Sequence, residues 1–263
     1  MSAIGNLRKM SVHLDAEIQY TLNLSEDILM NDLIGNHIRL EWNGVINCSS
    51  CKKVTKKSFG QGFCYTCFAN APESAECIIR PELCRAHLGE GRDPEWEEKH
   101  HNKPHVVYLA ASSAVKVGIT RGDQVPTRWI DQGASSAIRL AETPNRYEAG
   151  RVEVALKEFF TDKTNWRKML KNEIDEEIDL EEEKWALEEH LPADIIELFS
   201  ENDDIIALNY PVVEYPEKVK SLSFDKTNII EGKLMGIKGQ YLLFENGEVL
   251  NIRKHTSYHV KFN

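Results

Sequence analysis

The period of the hydrophobic positions changes several times along this chain. Ile38-Arg39-Leu40-Glu41-Trp42 alternates apolar and polar residues, as a strand with one buried face does. Asn43-Gly44 follows as a turn dipeptide, and Val45-Ile46 is placed to begin a returning strand. Between 48 and 105 the periodicity is lost. That stretch is rich in polar and turn residues and needs an anchor other than an apolar core. From His105 the pattern returns. Val106 to Ala110 and Val115 to Ile119 read as a hairpin, Thr127 to Ala134 as a short helix, and Ala137 to Glu142 as a third strand. Tyr147 to Phe160 is an amphipathic helix with Ala149, Val152, Leu156, Phe159 and Phe160 on one face. Residues 173–190 continue as an acidic helix with Ile174, Ile178, Leu180, Trp185 and Leu187 as apolar positions, ended by Leu191-Pro192. Beyond Ile205, strands separated by Lys238-Gly239 and Asn246-Gly247 suggest a small barrel or sandwich. The pattern predicts an α+β protein: N-terminal strands over 1–47, a Cys/His-rich module over 48–103, a small mixed sheet with helices over 104–172, an acidic helical segment over 173–204, and a barrel-like β module over 205–263.

Composition narrows the class. Hydrophobic residues at 41% and charged residues at 28% describe an ordinary soluble chain. No apolar run approaches the roughly 20 residues that span a bilayer, and Met1 to Leu24 lacks a signal peptide's apolar centre. The expectation is a cytoplasmic protein with no membrane partner. The net charge of −10 argues at first sight against nucleic acid, because phosphate binding rests on basic surface. The distribution changes this. Residues 173–190 hold ten acids and one lysine, whereas residues 101–172 hold twelve Lys and Arg against seven Asp and Glu. The acidity is local and leaves phosphate binding open. The acidic helix itself reads as a solvated face or as a contact surface for a protein partner.

All six cysteines fall between Cys48 and Cys84. In a cytoplasmic chain such clustering favours metal over disulfides. Cys48-x2-Cys51 and, twelve residues on, Cys64-x2-Cys67 have the spacing of a closed tetrahedral zinc site of four thiolates, which is structural because it leaves no open position. Lys52, Lys53, Lys56 and Lys57 in the loop offset its negative charge. A redox pair is the competing reading. Cys77 and Cys84, with His87, His100, His101 and His105 downstream, supply the types for a second zinc, for example Cys77, Cys84, His87 and His101; core cysteines with exposed histidines are the alternative. Phe59, Phe63, Tyr65 and Phe68 mix with the lysines, a combination that suits single-stranded nucleic acid or, equally, packing around the metal.

Val107-Tyr108-Leu109, Lys116-Val117-Gly118-Ile119-Thr120, Arg128 and Glu153 in this order resemble the core of the GIY-YIG nucleases, over about residues 104–170. The whole chain also resembles an uncharacterised bacterial family that joins a Cys-rich N-terminal part to such a core. Its blocks match Tyr108-Leu109-Ala110, Lys116 to Thr120, Thr127 to Ala134 and Asn165-Trp166-Arg167, and its members often carry further cysteines where this chain has Gly91 and His101.

The nuclease resemblance implies Mg²⁺-dependent phosphodiester hydrolysis. It places Tyr108 as the strand tyrosine that helps activate water, Gly118 as the second motif's glycine, Arg128 as the phosphate-steadying arginine and Glu153 as the metal carboxylate. Mg²⁺ keeps most of its waters, so one carboxylate suffices as its protein anchor. Two positions depart from the pattern. Lys116 replaces the second motif's tyrosine and offers a point charge to phosphate, and Gln132 stands where a histidine is common. The expected function is therefore nucleic-acid binding, of DNA or RNA, with strand cleavage. The alternative is a catalytically inactive binder or a zinc-stabilised protein-interaction adaptor.

Overall fold

The computed structural model describes residues 2–160, 165–175 and 177–263. It is a mixed α+β structure of two compact units. Unit 1 takes the chain up to Ala69, the short stretch Ile130–Gly133 and Leu208–Asn263; unit 2 takes Asn70–Trp129 and Ala134–Ala207. Among the described residues no helix is long and apolar enough to cross a membrane.

Unit 1 is built on the strand His37–Asn47, whose Ile38 and Leu40 are buried in the alternation expected from sequence and whose Ile46 is buried further along. Ile229–Lys238 pairs antiparallel along one edge of it and Tyr258–Phe262 along the other. The sheet extends through Ala3–Asn6 at one end, and through Tyr241–Phe244, Glu248–Asn251 and Lys220–Ser221 at the other. Three shorter strands between Ser11 and Leu29 form a separate sheet.

Two expectations are corrected here. Asn43-Gly44 does not turn the chain back. The strand runs on to Asn47, and the pairing with Tyr258–Phe262 jumps from Ile46 opposite Tyr258 to Trp42 opposite Val260. The dipeptide sits in a bulge, with Gly44 at φ 84° and the Asn43 amide against His259 at 2.9 Å. Nor do the C-terminal strands close a barrel. They form the expected hairpins at Gly239 and Gly247, but they join the N-terminal strands in one open sheet with free ends at Ala3–Asn6 and Lys220–Ser221. Partners nearly 200 residues apart satisfy the same alternation as neighbours do, so period alone does not reveal them.

Unit 2 centres on an antiparallel sheet in the order Ile206–Ala207, Ser136–Thr143, His105–Ala111, Val115–Arg121. Its middle strand, His105–Ala111, is buried at every position. The helix Arg146–Leu156 starts where Asn145 accepts a bond from the Glu148 amide (3.0 Å), and lays Ala149, Val152 and Leu156 on Val107, Leu109, Ile138 and Leu140. It ends earlier than its apolar pattern suggests. Phe159 is 41% exposed and stacks on His190 instead.

The acidic segment is also shorter as a helix than expected. It runs from Leu180 to Ala186, capped by Asp179, which accepts from the Glu181 and Glu182 amides. Glu176 lies outside the described residues. Leu180 and Leu187 pack into the sheet's core, and Lys184 is wholly buried, donating to the Ser200 and Asn202 carbonyls and to Asp203.

Within the helix Arg146–Leu156, Gly150 is buried against the turn Pro81–Leu83. A Cβ there would fall 2.5 Å from the Pro81 carbonyl carbon and 2.8 Å from the Glu82 Cα. Helix propensity alone makes Gly150→Ala stabilising by about 1 kcal/mol, whereas overpacking against backbone costs about 1–3 kcal/mol. We expect packing to win and the urea midpoint of Gly150→Ala to fall. A rise in the midpoint would show that the turn yields.

Candidate functional site

Cys48 follows directly on the strand His37–Asn47. The chain then turns tightly, with the Lys52 amide bonding the Cys48 carbonyl and the Cys48 amide bonding the Lys53 carbonyl (both 2.9 Å). A second tight turn, closed by paired bonds between Phe59 and Phe63, presents Cys64, and the helix Tyr65–Asn70 presents Cys67. All four sulfurs lie within 4.8 Å of one another, with Cys51 and Cys64 at 3.9 Å. Zinc–sulfur bonds of about 2.3 Å set tetrahedral edges of about 3.8 Å, whereas a disulfide needs about 2.05 Å. The geometry is therefore compatible with a zinc site and not with bridges.

The local electrostatics suit thiolates. Burial alone would raise the Cys48 thiol, but the amides of Cys64 (3.2 Å), Cys51 and Ser50 bring it down to about 6. Lys52, Lys53, Lys56 and Lys57 are all exposed around the cluster. Phe63 is buried beside it, while Phe59 stacks on Phe68 and meets Tyr65 edge-on, with the Lys57 ammonium 5.4 Å from the Phe59 ring.

Unit 2 holds a second cluster of Cys77, Cys84, Glu97 and His101, whose ligand atoms again lie within 4.8 Å. Cys77 sits in the turn Glu76–Ile78, and Cys84 closes the turn Pro81–Leu83. Glu97 and His101 stand four residues apart at the end of the helix Pro94–His100. The structure brings Cys77, Cys84 and His101 together, and it puts His87 elsewhere, stacked on Tyr147 at 4.6 Å. Glu97 occupies the fourth place. Sequence reasoning passed over it because it lies in the acidic run Glu95-Trp96-Glu97-Glu98; its i,i+4 spacing to His101 was the available signal. The Cys84 thiol is lowered to about 4, chiefly by Cys77 with His101 helping, while Cys77 is raised by the same bond and by burial.

Tyr108 lies on the middle strand of unit 2 directly opposite Gly118, wholly buried, with its ring also 5.7 Å from Trp129. Its phenol fills the space above Gly118, where a Cβ would come within 2.5 Å of the phenol carbon and oxygen. Lys116, two residues along the same strand, is lowered to about 8 by burial and by the neighbouring Arg128. Arg128 and Glu153 both act on Arg146, whose own pKa falls through burial. Arg146 was not anticipated from sequence. It bonds the Cys77 and Ile78 carbonyls (2.9 Å each) and lies within electrostatic reach of Arg128 and Glu153, as Lys116 does of Arg128. Among the described residues no third group of metal-ligating side chains gathers, so Glu153 is not one of several converging carboxylates. Asn165 caps the helix Trp166–Leu170.

Gly118→Ala is expected to displace the Tyr108 ring and destabilise unit 2 by about 1–3 kcal/mol, read as a lower denaturant midpoint and a changed tyrosine near-UV signal. An unchanged midpoint would mean that the ring has another resting place.

No curated protein and no solved structure matches the chain. A family model does match it, over residues 35–260, which take in both cysteine clusters and the Tyr108–Glu153 core. The chain belongs to the family described as "Protein of unknown function (DUF2797)".

Proposed function

We propose that this protein binds nucleic acid through the cationic group of unit 2, and that the four-cysteine cluster of unit 1 holds a structural zinc ion. The first part is supported by Arg128, which bears electrostatically on both Lys116 and Arg146, each of them half-buried. Half-buried like charges oppose one another, and a phosphate entering the group would relieve that opposition. The topology supports the same reading. Three antiparallel strands with the first in the middle, followed by a helix bearing Glu153, place the residues picked out by the GIY-YIG resemblance on neighbouring elements.

A second reading, Mg²⁺-dependent strand cleavage, is favoured by one observation: Glu153 is a carboxylate within the field of this cationic group. The fit of the free protein to the metal is poor. Guanidinium groups beside the single carboxylate repel a divalent cation until a phosphate neutralises them. The burial of Tyr108 also keeps its phenol from water. Binding is therefore the better supported reading.

Fluorescence anisotropy with labelled DNA and RNA tests it. With three phosphate contacts, affinity is expected to fall roughly 20- to 40-fold between 50 and 200 mM salt. Lys116→Ala/Arg128→Ala is expected to flatten that slope. Affinity is also expected to fall as pH rises through 8, where Lys116 loses its proton, and Lys116→Arg to abolish that fall. Salt-independent binding, or a double variant that binds like wild type, would end the proposal. Adding Mg²⁺ tests cleavage separately. If no strand is cut, or if Glu153→Ala cuts as well as wild type, the second reading is lost while binding stands. For the zinc, elemental analysis is expected to show that Cys51→Ser/Cys64→Ser holds one ion fewer than wild type; equal content would remove the site.

A further inference from the structure

The stretch from Pro72 to His101 contains no strand and is held by short turns. It leaves apolar side chains outside: Ile79 is 86% exposed and Leu88 56%. Yet Glu97 and His101 are each only 3% exposed. This inverts the ordinary order of burial, and a carboxylate leaves water only when a cation or several donors receive it. The Nδ1 atom of His101 faces Glu97, and the same atom lies 3.9 Å from the Cys77 sulfur. One ring nitrogen carries at most one proton. If both cysteines are thiolates, that proton can reach only one of the three anionic groups gathered here.

We propose that Cys77, Cys84, Glu97 and His101 form a second zinc site, with Glu97 as its oxygen ligand. Thiolate, carboxylate and neutral imidazole are all zinc ligands, and bonds of about 2.0–2.3 Å set edges of about 3.3–3.8 Å, in keeping with four ligand atoms inside 4.8 Å. Two thiolates and a carboxylate around a divalent ion leave one net negative charge. The Arg146 guanidinium interacts with both cysteines and offsets it. Room for the carboxylate is left by Gly91, where a Cβ would fall 2.5 Å from the Glu97 Cγ. Four protein donors leave no open position, so the zinc is structural. It ties the turns over 76–84 to the helix Pro94–His100 and, through Arg146, to the start of the helix that carries Glu153. The inference stands whether or not the protein binds nucleic acid.

Zinc counting on the purified full chain, by native mass spectrometry and elemental analysis, tests it. Cys77→Ser/Cys84→Ser is expected to hold one zinc fewer than wild type. The difference carries the test, so failure of the four-cysteine site would not affect it. Glu97→Gln is expected to give up one zinc to a competing chelator at least about tenfold more readily than wild type. His101→Cys is expected to keep the wild-type count, which separates loss of a ligand from loss of the fold. In cobalt-loaded protein the thiolate charge-transfer absorption is expected to fall by about a third in Cys77→Ser/Cys84→Ser, as six thiolate ligands become four. Equal zinc content in wild type and Cys77→Ser/Cys84→Ser overturns the site. Unchanged chelator release from Glu97→Gln removes Glu97 from the ligand set.

Discussion

Acid-bearing side chains crowded within 4.8 Å of one another are the constraint on which the middle of this chain is built, once in each unit. Such groups repel when ionised and are costly to bury when they lack partners. Their surroundings show how the fold answers that cost. In unit 1, backbone amides turn toward the Cys48 sulfur, and the lysines nearby remain in water. In unit 2 a single arginine interacts with both cysteines while its guanidinium grips the backbone of the turn that carries one of them. Each unit thus has two kinds of interior. A sheet and its facing side chains follow the ordinary hydrophobic rule, and a polar knot orders the segment that has no such face.

This division explains what could be read from the sequence. The stretches read as strands at Ile38–Trp42 and Ala137–Glu142 lie inside the strands His37–Asn47 and Ser136–Thr143, and the spacing of Cys48, Cys51, Cys64 and Cys67 predicts their convergence. Tertiary partners were less legible. The strand Tyr258–Phe262 pairs with residues near the other end of the chain, and that pairing turns Asn43-Gly44 from a turn into a bulge. Glu97 was hidden for a related reason. On an isolated helix it is one acid among several, and only the fold of the preceding turns brings two cysteines to its side. Arg146 carries no sequence signal of its role, because the Cys77 and Ile78 carbonyls that hold its guanidinium lie nearly 70 residues away.

The charge distribution acquires a structural meaning in the same way. The acidic run supplies most of the net charge, yet its helix is held by Leu180 and Leu187 in the core and by a buried lysine. Glu181, Glu182 and Glu183 occupy the first turn, where the helix dipole and Asp179's cap favour negative charge. The run is thus accounted for locally, by one buried face and one solvated face.

The group of Lys116, Arg128 and Arg146 is placed differently, with Arg146 already engaged by the Cys77 and Ile78 carbonyls and by Glu153. Lys116 shares its strand with Gly118, whose lack of a side chain leaves room for Tyr108. The tyrosine is thereby committed to the interior, and the polar character of this face passes to the lysine. Burial and a neighbouring arginine together bring that lysine to about 8, near enough to neutrality that its charge depends on what sits beside it. An incoming anion would favour the protonated lysine and relieve its repulsion with Arg128 in one step. A surface lysine, already charged and hydrated, gains much less from the same contact. In the proposed reading, the ammonium at position 116 would offer this face an electrostatic contact, while the burial of Tyr108 holds its phenol out of that contact.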